Sequence, residues 1–265
     1  MLSNVFRKTI YEKRWFLLSW SLGIIAMTIL TMIFYPYFKD AGFDELINSL
    51  PKSFEGLLGE ANNYRTVGGY VGEQIFAMRL PMLVLIMVIT LFTGIGVGDE
   101  NRGNLETLLA QPISRATVYW HKFLAACLIT AIACAAIFVA VCLSFISIHD
   151  TMNLTRLAEA SLACWLLGVT VGAFTYAIGA ISGRRSLTIG LASGITFLSF
   201  LISSMAPAVA GLKQVQKLSI FYYYNTPAVA QHGLQLRNTV VLVGISLFFV
   251  LVGLVVFQRR DLVRD

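Results

Sequence analysis

LPMLVLIMVITLFTGIGVGDENRGNLETLLAQPISRATVYWHKFLAACLITAIACAAIFVAVCLSFISI, residues 80–148, sets two long apolar runs on either side of a short charged insert. Neither Pro81 to Val97 nor Phe123 to Ile148 contains an acidic or basic side chain. A helix crosses the hydrocarbon core of a bilayer with about 20 apolar residues at 1.5 Å rise each. The insert concentrates Asp99, Glu100, Arg102, Glu106, Arg115 and Lys122 within 24 positions. The pattern is two membrane-crossing helices joined by a polar segment on one side.

Working outward, four more runs of the same kind appear. The six predicted spans cover about Trp15–Tyr35, Ile75–Gly98, Phe123–Ile148, Leu157–Ile181, Leu187–Val209 and Thr239–Phe257. The whole chain agrees with them: 57% of its 265 residues are hydrophobic, 13% are charged, and the mean hydropathy is +0.74. Soluble domains carry about 25% charged residues. The reading is an all-α integral membrane protein of one domain, residues 1–265, since no polar linker divides it. Residues 1–14, alternating basic and apolar, read as an interfacial segment ahead of the first span. No small-x-small cleavage site precedes Pro36, so the first run is expected to be retained as a span.

Basic residues set the orientation. Arg7, Lys8, Lys13, Arg14, Arg102, Arg115, Lys122, Arg184, Arg185, Arg259, Arg260 and Arg264 fall on one side, on short segments. The other side carries its basic residues on longer loops, among acids such as Asp40, Asp44, Glu45, Glu55 and Glu60. The first side is therefore expected to be cytoplasmic, with both termini there. Gly183–Ser186 is a tight basic turn between spans 4 and 5. Opposite it lie two longer stretches. Pro36–Gln74 has Phe43, Leu46, Ile47 and Leu50 at helical spacing, and Gly68, Gly69 and Gly72 are expected to loosen the chain before span 2. Ala210–Asn238 is apolar and aromatic, and is expected to lie on or dip into the membrane.

The insert has a helix of its own written into it. Gly103 permits a turn, Asn104 caps, and Glu106 suits the first turn. Leu105, Leu108 and Leu109 share one face. Pro112 stops the helix and Ser114 can cap the next one. The apolar face buries either against headgroups and neighbouring helices or in a groove on a partner.

This insert resembles the signature of ABC-2 type transporter permeases. The resemblance is carried by Asp99, Glu100, Arg102, Gly103, Leu105, Glu106, Leu108, Leu109, Ala110, Pro112, Ile113, Ser114, Arg115 and Lys122. The external LPKSFEGLLG, the six-span layout and the terminal FQRRDL (Phe257 to Leu262) are similar to the family as well. The resemblance implies a multi-pass permease subunit of a bacterial plasma membrane, working as an exporter. It implies a homodimer or heterodimer with a second permease, and ATP-binding cassette ATPase subunits that bring ATP and Mg. The insert would be the coupling helix, with Asp99, Glu100, Arg102, Gly103, Leu105, Glu106, Leu108, Leu109, Pro112 and Arg115 as the ATPase-coupling residues.

The chain's own chemistry fits that division of labour. It contains no Gly-Lys dipeptide, hence no phosphate-cradling GxxxxGK[ST] loop. HExxH and GxSxG are absent, and Ser49–Lys52 matches SxxK only across the helix-breaking Pro51. Cys127, Cys134, Cys142 and Cys164 lie within apolar runs without metal-ligand spacing. No catalytic, cofactor or metal residue is therefore assigned, and the chain is not expected to be an enzyme. Ionisable groups are scarce in the spans. Glu73, Arg79 and Glu159, each near an outer end, are the candidate outer gate, against plain interfacial snorkelling. An apolar pathway suits an amphipathic or lipid-like cargo. Gly94/Gly98, Gly168/Gly172, Gly179/Gly183 and Gly190/Gly194 have the spacing that lets helices approach closely. The alternatives are an autonomous secondary carrier or channel, which would need mid-span ionisable groups, and a membrane scaffold or sensor for a signalling partner.

Overall fold

The computed structural model describes residues 2–40, 66–98, 114–148, 152–206, 209, 211–224, 229 and 233–260. Among them every regular element is helical. Among the described residues six helices are long and apolar enough to cross a membrane: Arg14–Tyr37, Val67–Ile95, Arg115–Ile146, Leu154–Ser182, Arg185–Met205 and Leu236–Arg259, spans 1 to 6. They match the six expected runs. The predicted boundaries fall short at most ends, because a helix continues past the apolar stretch wherever its flanking residues pack or cap. The largest errors are at the starts of spans 2 and 3, which begin at Val67 and Arg115 and not near Ile75 and Phe123. Gly68, Gly69 and Gly72 are helical, not a loosened approach. Thr66 caps that end, its Oγ1 accepting from Gly69 N at 3.2 Å. Tyr70 is buried there, its hydroxyl donating to the Thr31 carbonyl at 2.8 Å and its ring 5.2 Å from Tyr35.

Span 4 is the hub, packing on spans 6, 2, 3 and 5. It is 67% buried over its most apolar stretch, whereas span 5 is 17% buried. Small residues make the hub possible. A methyl group added at Gly168 would stand 3.0 Å from the Thr130 side chain and 3.3 Å from Val84. Hydroxyls inside the spans turn back onto the carbonyl four residues earlier, as Thr28, Thr130, Thr170 and Ser161 do at 2.7–2.9 Å, which satisfies them where water is absent. Trp165 Nε1 donates to the Cys127 carbonyl at 3.0 Å and ties span 4 to span 3.

The short turn between spans 4 and 5 is as expected. Gly183 has φ +61° and its N–H reaches the Gly179 carbonyl at 2.9 Å, a left-handed helix stop that glycine adopts without strain. The N-terminal segment is a helix, Leu2–Glu12, packed on span 3 through the buried Val5 and Thr9. After span 5 the chain forms Leu212–Val215, a 3₁₀ turn Gln216–Leu218 and Ile220–Tyr224, which folds back onto the bundle with Phe221 and Tyr224 buried. The stretch Phe43–Leu50 lies outside the described residues.

Candidate functional site at the basic end of the bundle

The helix expected in the insert, with Asp99, Glu100, Arg102, Gly103, Leu105, Glu106, Leu108, Leu109 and Pro112, lies outside the described residues. Its two roots, Gly98 and Ser114, lie within them. Span 2 closes on a Gly96 N–H to Phe92 carbonyl bond of 3.0 Å. Span 3 opens with Ser114 as its cap, the Oγ accepting from Thr117 N at 3.1 Å, as its side chain and position predict.

Lys122 joins the two roots. Its side chain is buried, 3% exposed, and Nζ donates to the Ile95 carbonyl at 3.1 Å. The last carbonyls of a helix have no intrahelical donor and carry partial negative charge, so an ammonium there is stabilised. One turn earlier on span 3, Tyr119 is 1% exposed and donates from its hydroxyl to the Val250 carbonyl of span 6 at 3.2 Å. Tyr176 of span 4 donates to the Tyr119 carbonyl at 3.4 Å. Around these bonds the rings close up. Tyr119 stands 4.5 Å from Tyr176 and 5.5 Å from Phe257, and Phe92 stands 5.7 Å from Phe123 and 6.0 Å from Tyr176. Spans 2, 3, 4 and 6 thus meet in one aromatic node directly beneath the roots of the insert. A cavity of about 20 Å³ remains inside it, bordered by Gly96, Tyr119, Lys122 and Tyr176, large enough for one water.

Arg115 extends the node outward. Its Nη1 donates to the Arg260 carbonyl at 2.8 Å, and Arg260 Nη1 donates to the Ala180 carbonyl at 3.3 Å. The start of span 3, the end of span 6 and the end of span 4 are linked in sequence by two guanidinium groups. A displacement of the adjoining ends of spans 2 and 3 would be passed to spans 4 and 6 through this node. Interiors packed this closely transmit displacement with little compression.

The chain matches the family described as ABC-2 family transporter protein over residues 4–262. It belongs to the ABC-2 transporter family. No curated protein matches the chain closely enough to count as a relative. An ABC-2 chain is a membrane permease of an ABC-type transporter, a multi-pass membrane protein whose family implies partnership with an ABC ATPase.

In this ABC-2 permease the three candidate gate residues stand apart. Glu159 is engaged by Arg156, Nη1 to Oε2 at 3.0 Å, and accepts from Leu234 N at 3.1 Å, so it pins the approach to span 6. Arg79 folds back on its own helix, donating to the Gln74 carbonyl at 3.2 Å and to the Gln74 side chain. Glu73 is half-buried, six residues before Arg79. Because span 2 starts at Val67, both lie well inside the helix and not at its first turn. Of the coupling residues, Arg115 alone is described. The sequence does not announce the aromatic node: Tyr119 is legible as a boundary aromatic, but nothing local pairs it with Tyr176 or Phe257. The one available signal is Lys122, an ionisable residue closing the insert and opening an apolar run, which in a membrane protein must find a partner.

Proposed function

We propose that this permease is the membrane-spanning half of an ATP-driven exporter, and that residues 99–113 form the helix on which the ATPase acts. The carrying observation is the node: both ends of that segment are rooted where four spans meet, joined by the Lys122–Ile95 bond. The absence of any Gly-Lys dipeptide supports a separate chain as the source of the nucleotide site, with its Mg. The basic residues at the ends of the spans support a cytoplasmic placement for this end and for both termini.

A second permease completes the pathway in this reading. Span 5 supports that. It is the least buried span, yet it is less apolar than spans 1, 3 and 6. It shows Gly190, Ser193 and Gly194 on open surface, with nothing within 4 Å of either glycine's missing Cβ. Between spans 2 and 5 an apolar recess of about 210 Å³, walled by Leu85, Ile89, Phe197 and Phe200, suits an amphipathic cargo. The test is to change Glu106 to Pro or Leu109 to Asp and assay the assembled complex in vesicles. Expected is ATP hydrolysis that no longer drives transport, with the spans still folded. Normal transport by both variants would remove the coupling assignment.

A further inference from the structure

We propose that Tyr224 is a positioning residue that holds the outer part of span 2 in a wide helical register. Residues Val71–Arg79 form a π-helix, whose defining bonds run from an N–H to the carbonyl five residues back; Leu80 N accordingly donates to the Ile75 carbonyl. The Phe76 carbonyl is left without an amide. In the α register it would receive Leu80 N–H, which is committed to Ile75. In the π register it would receive the N–H of residue 81, which is Pro81 and has none. Phe76 is buried away from water, where a bare carbonyl is costly. The Tyr224 hydroxyl donates to it at 2.9 Å.

Tyr224 is itself held in place. Ser219 caps its short helix and donates to the Ser199 carbonyl of span 5 at 2.7 Å, while Ser199 Oγ accepts from Ile220 N at 3.1 Å. The Phe221 ring packs on Phe200 at 5.3 Å. The strap from span 5 therefore presents the hydroxyl from a fixed base.

The register matters for Arg79. In a π turn, residues five apart stand nearly in line, and Arg79 meets Gln74. At 100° per residue an α-helix would put them about 140° apart. A change to the α register would turn everything before Pro81 by about 100° relative to the rest of span 2, strip Arg79 of its partner, and move the orphan carbonyl to Ala77. Tyr224 thus decides where the cationic group of span 2 points.

The test does not depend on the transport reading. Hydrogen exchange of the amides at positions 75–80 is measured by mass spectrometry on the full chain in lipid nanodiscs. Tyr224→Phe, which removes only the hydroxyl, is expected to speed this exchange about tenfold, the loss of one buried hydrogen bond. Adding Pro81→Ala supplies an amide donor in either register and is expected to return exchange to near the parent rate. Tyr222→Phe, on an exposed ring, should change nothing. Unchanged exchange in Tyr224→Phe overturns the proposal. So does a double variant that exchanges as fast as Tyr224→Phe alone, since the hydroxyl would then be acting on something other than the carbonyl that Pro81 leaves open.

Discussion

Gly172 allows the decisive approach between spans 4 and 2, and Gly172→Ala measures what that approach contributes. A Cβ built at Gly172 lies 2.7 Å from two carbons of the Phe92 ring and closer still to a third. Favourable carbon contacts lie at about 3.5–4.0 Å, so the ring would have to retreat by roughly 1 Å. The ring is 1% exposed, with Phe123 of span 3 at 5.7 Å and Tyr176 of span 4 at 6.0 Å between centroids, so it is already packed on more than one side. Overpacking of this kind costs about 1–3 kcal/mol. Alanine also favours the helix over glycine by about 0.8–1.0 kcal/mol, which works in the opposite direction. Gly190→Ala cancels that second effect, because Gly190 is in the same kind of helix with nothing within 4 Å of its added methyl. The difference between the two variants is then the clash alone. At roughly 2–4 °C per kcal/mol for a chain of this size, a 2 kcal/mol clash sets Gly172→Ala about 4–8 °C below Gly190→Ala. The protein supplies its own reporter: the four free cysteines are buried or half-buried in spans 3 and 4, so a thiol-reactive dye reads unfolding during a temperature ramp in detergent. Equal midpoints for the two variants would refute the packing of spans 2 and 4 described above.

Lys122→Met leaves the Ile95 carbonyl without its donor in a site 3% exposed; a loss of about 1–3 kcal/mol is expected, read as a lower midpoint in the same dye assay, together with weaker dependence of transport on ATP hydrolysis. An unshifted midpoint and intact transport would show that the bond does not hold the roots of the insert. Glu159→Ala frees Leu234 N and Arg156, a pair about a third exposed; exchange at the Leu234 amide should rise several-fold with the midpoint moving little, and an unchanged rate would show that Glu159 does not pin that segment.

The class of the molecule was legible in the chain because the bilayer is an unforgiving solvent. Runs such as Phe123–Ile148 have no charge to solvate and enough length to cross, and all six expected spans are helices in the structure. Local chemistry was legible too: Ser114 caps span 3 and Gly183 stops span 4, since both depend on backbone and side chain within one turn. The start of span 2 was not, because Gly68, Gly69 and Gly72 read as breakers until Tyr70, buried against span 1, holds them in a helix. The π register was equally hidden; Pro81 announces a missing N–H, but only Tyr224, 143 positions later, answers the Phe76 carbonyl that it orphans.

Four glycine pairs at identical spacing show where sequence stops and tertiary structure begins. By itself the sequence determined that each pair bares a strip of helix backbone. The fold decided that Gly168 and Gly172 receive Thr130, Val84 and Phe92, that Gly179 meets Val97, and that Gly190 and Gly194 face open surface. Hydrophobic matching to lipid depends on composition along a segment, which one chain's sequence records. Contact depends on which faces the six helices turn toward each other, and that is settled only when they pack.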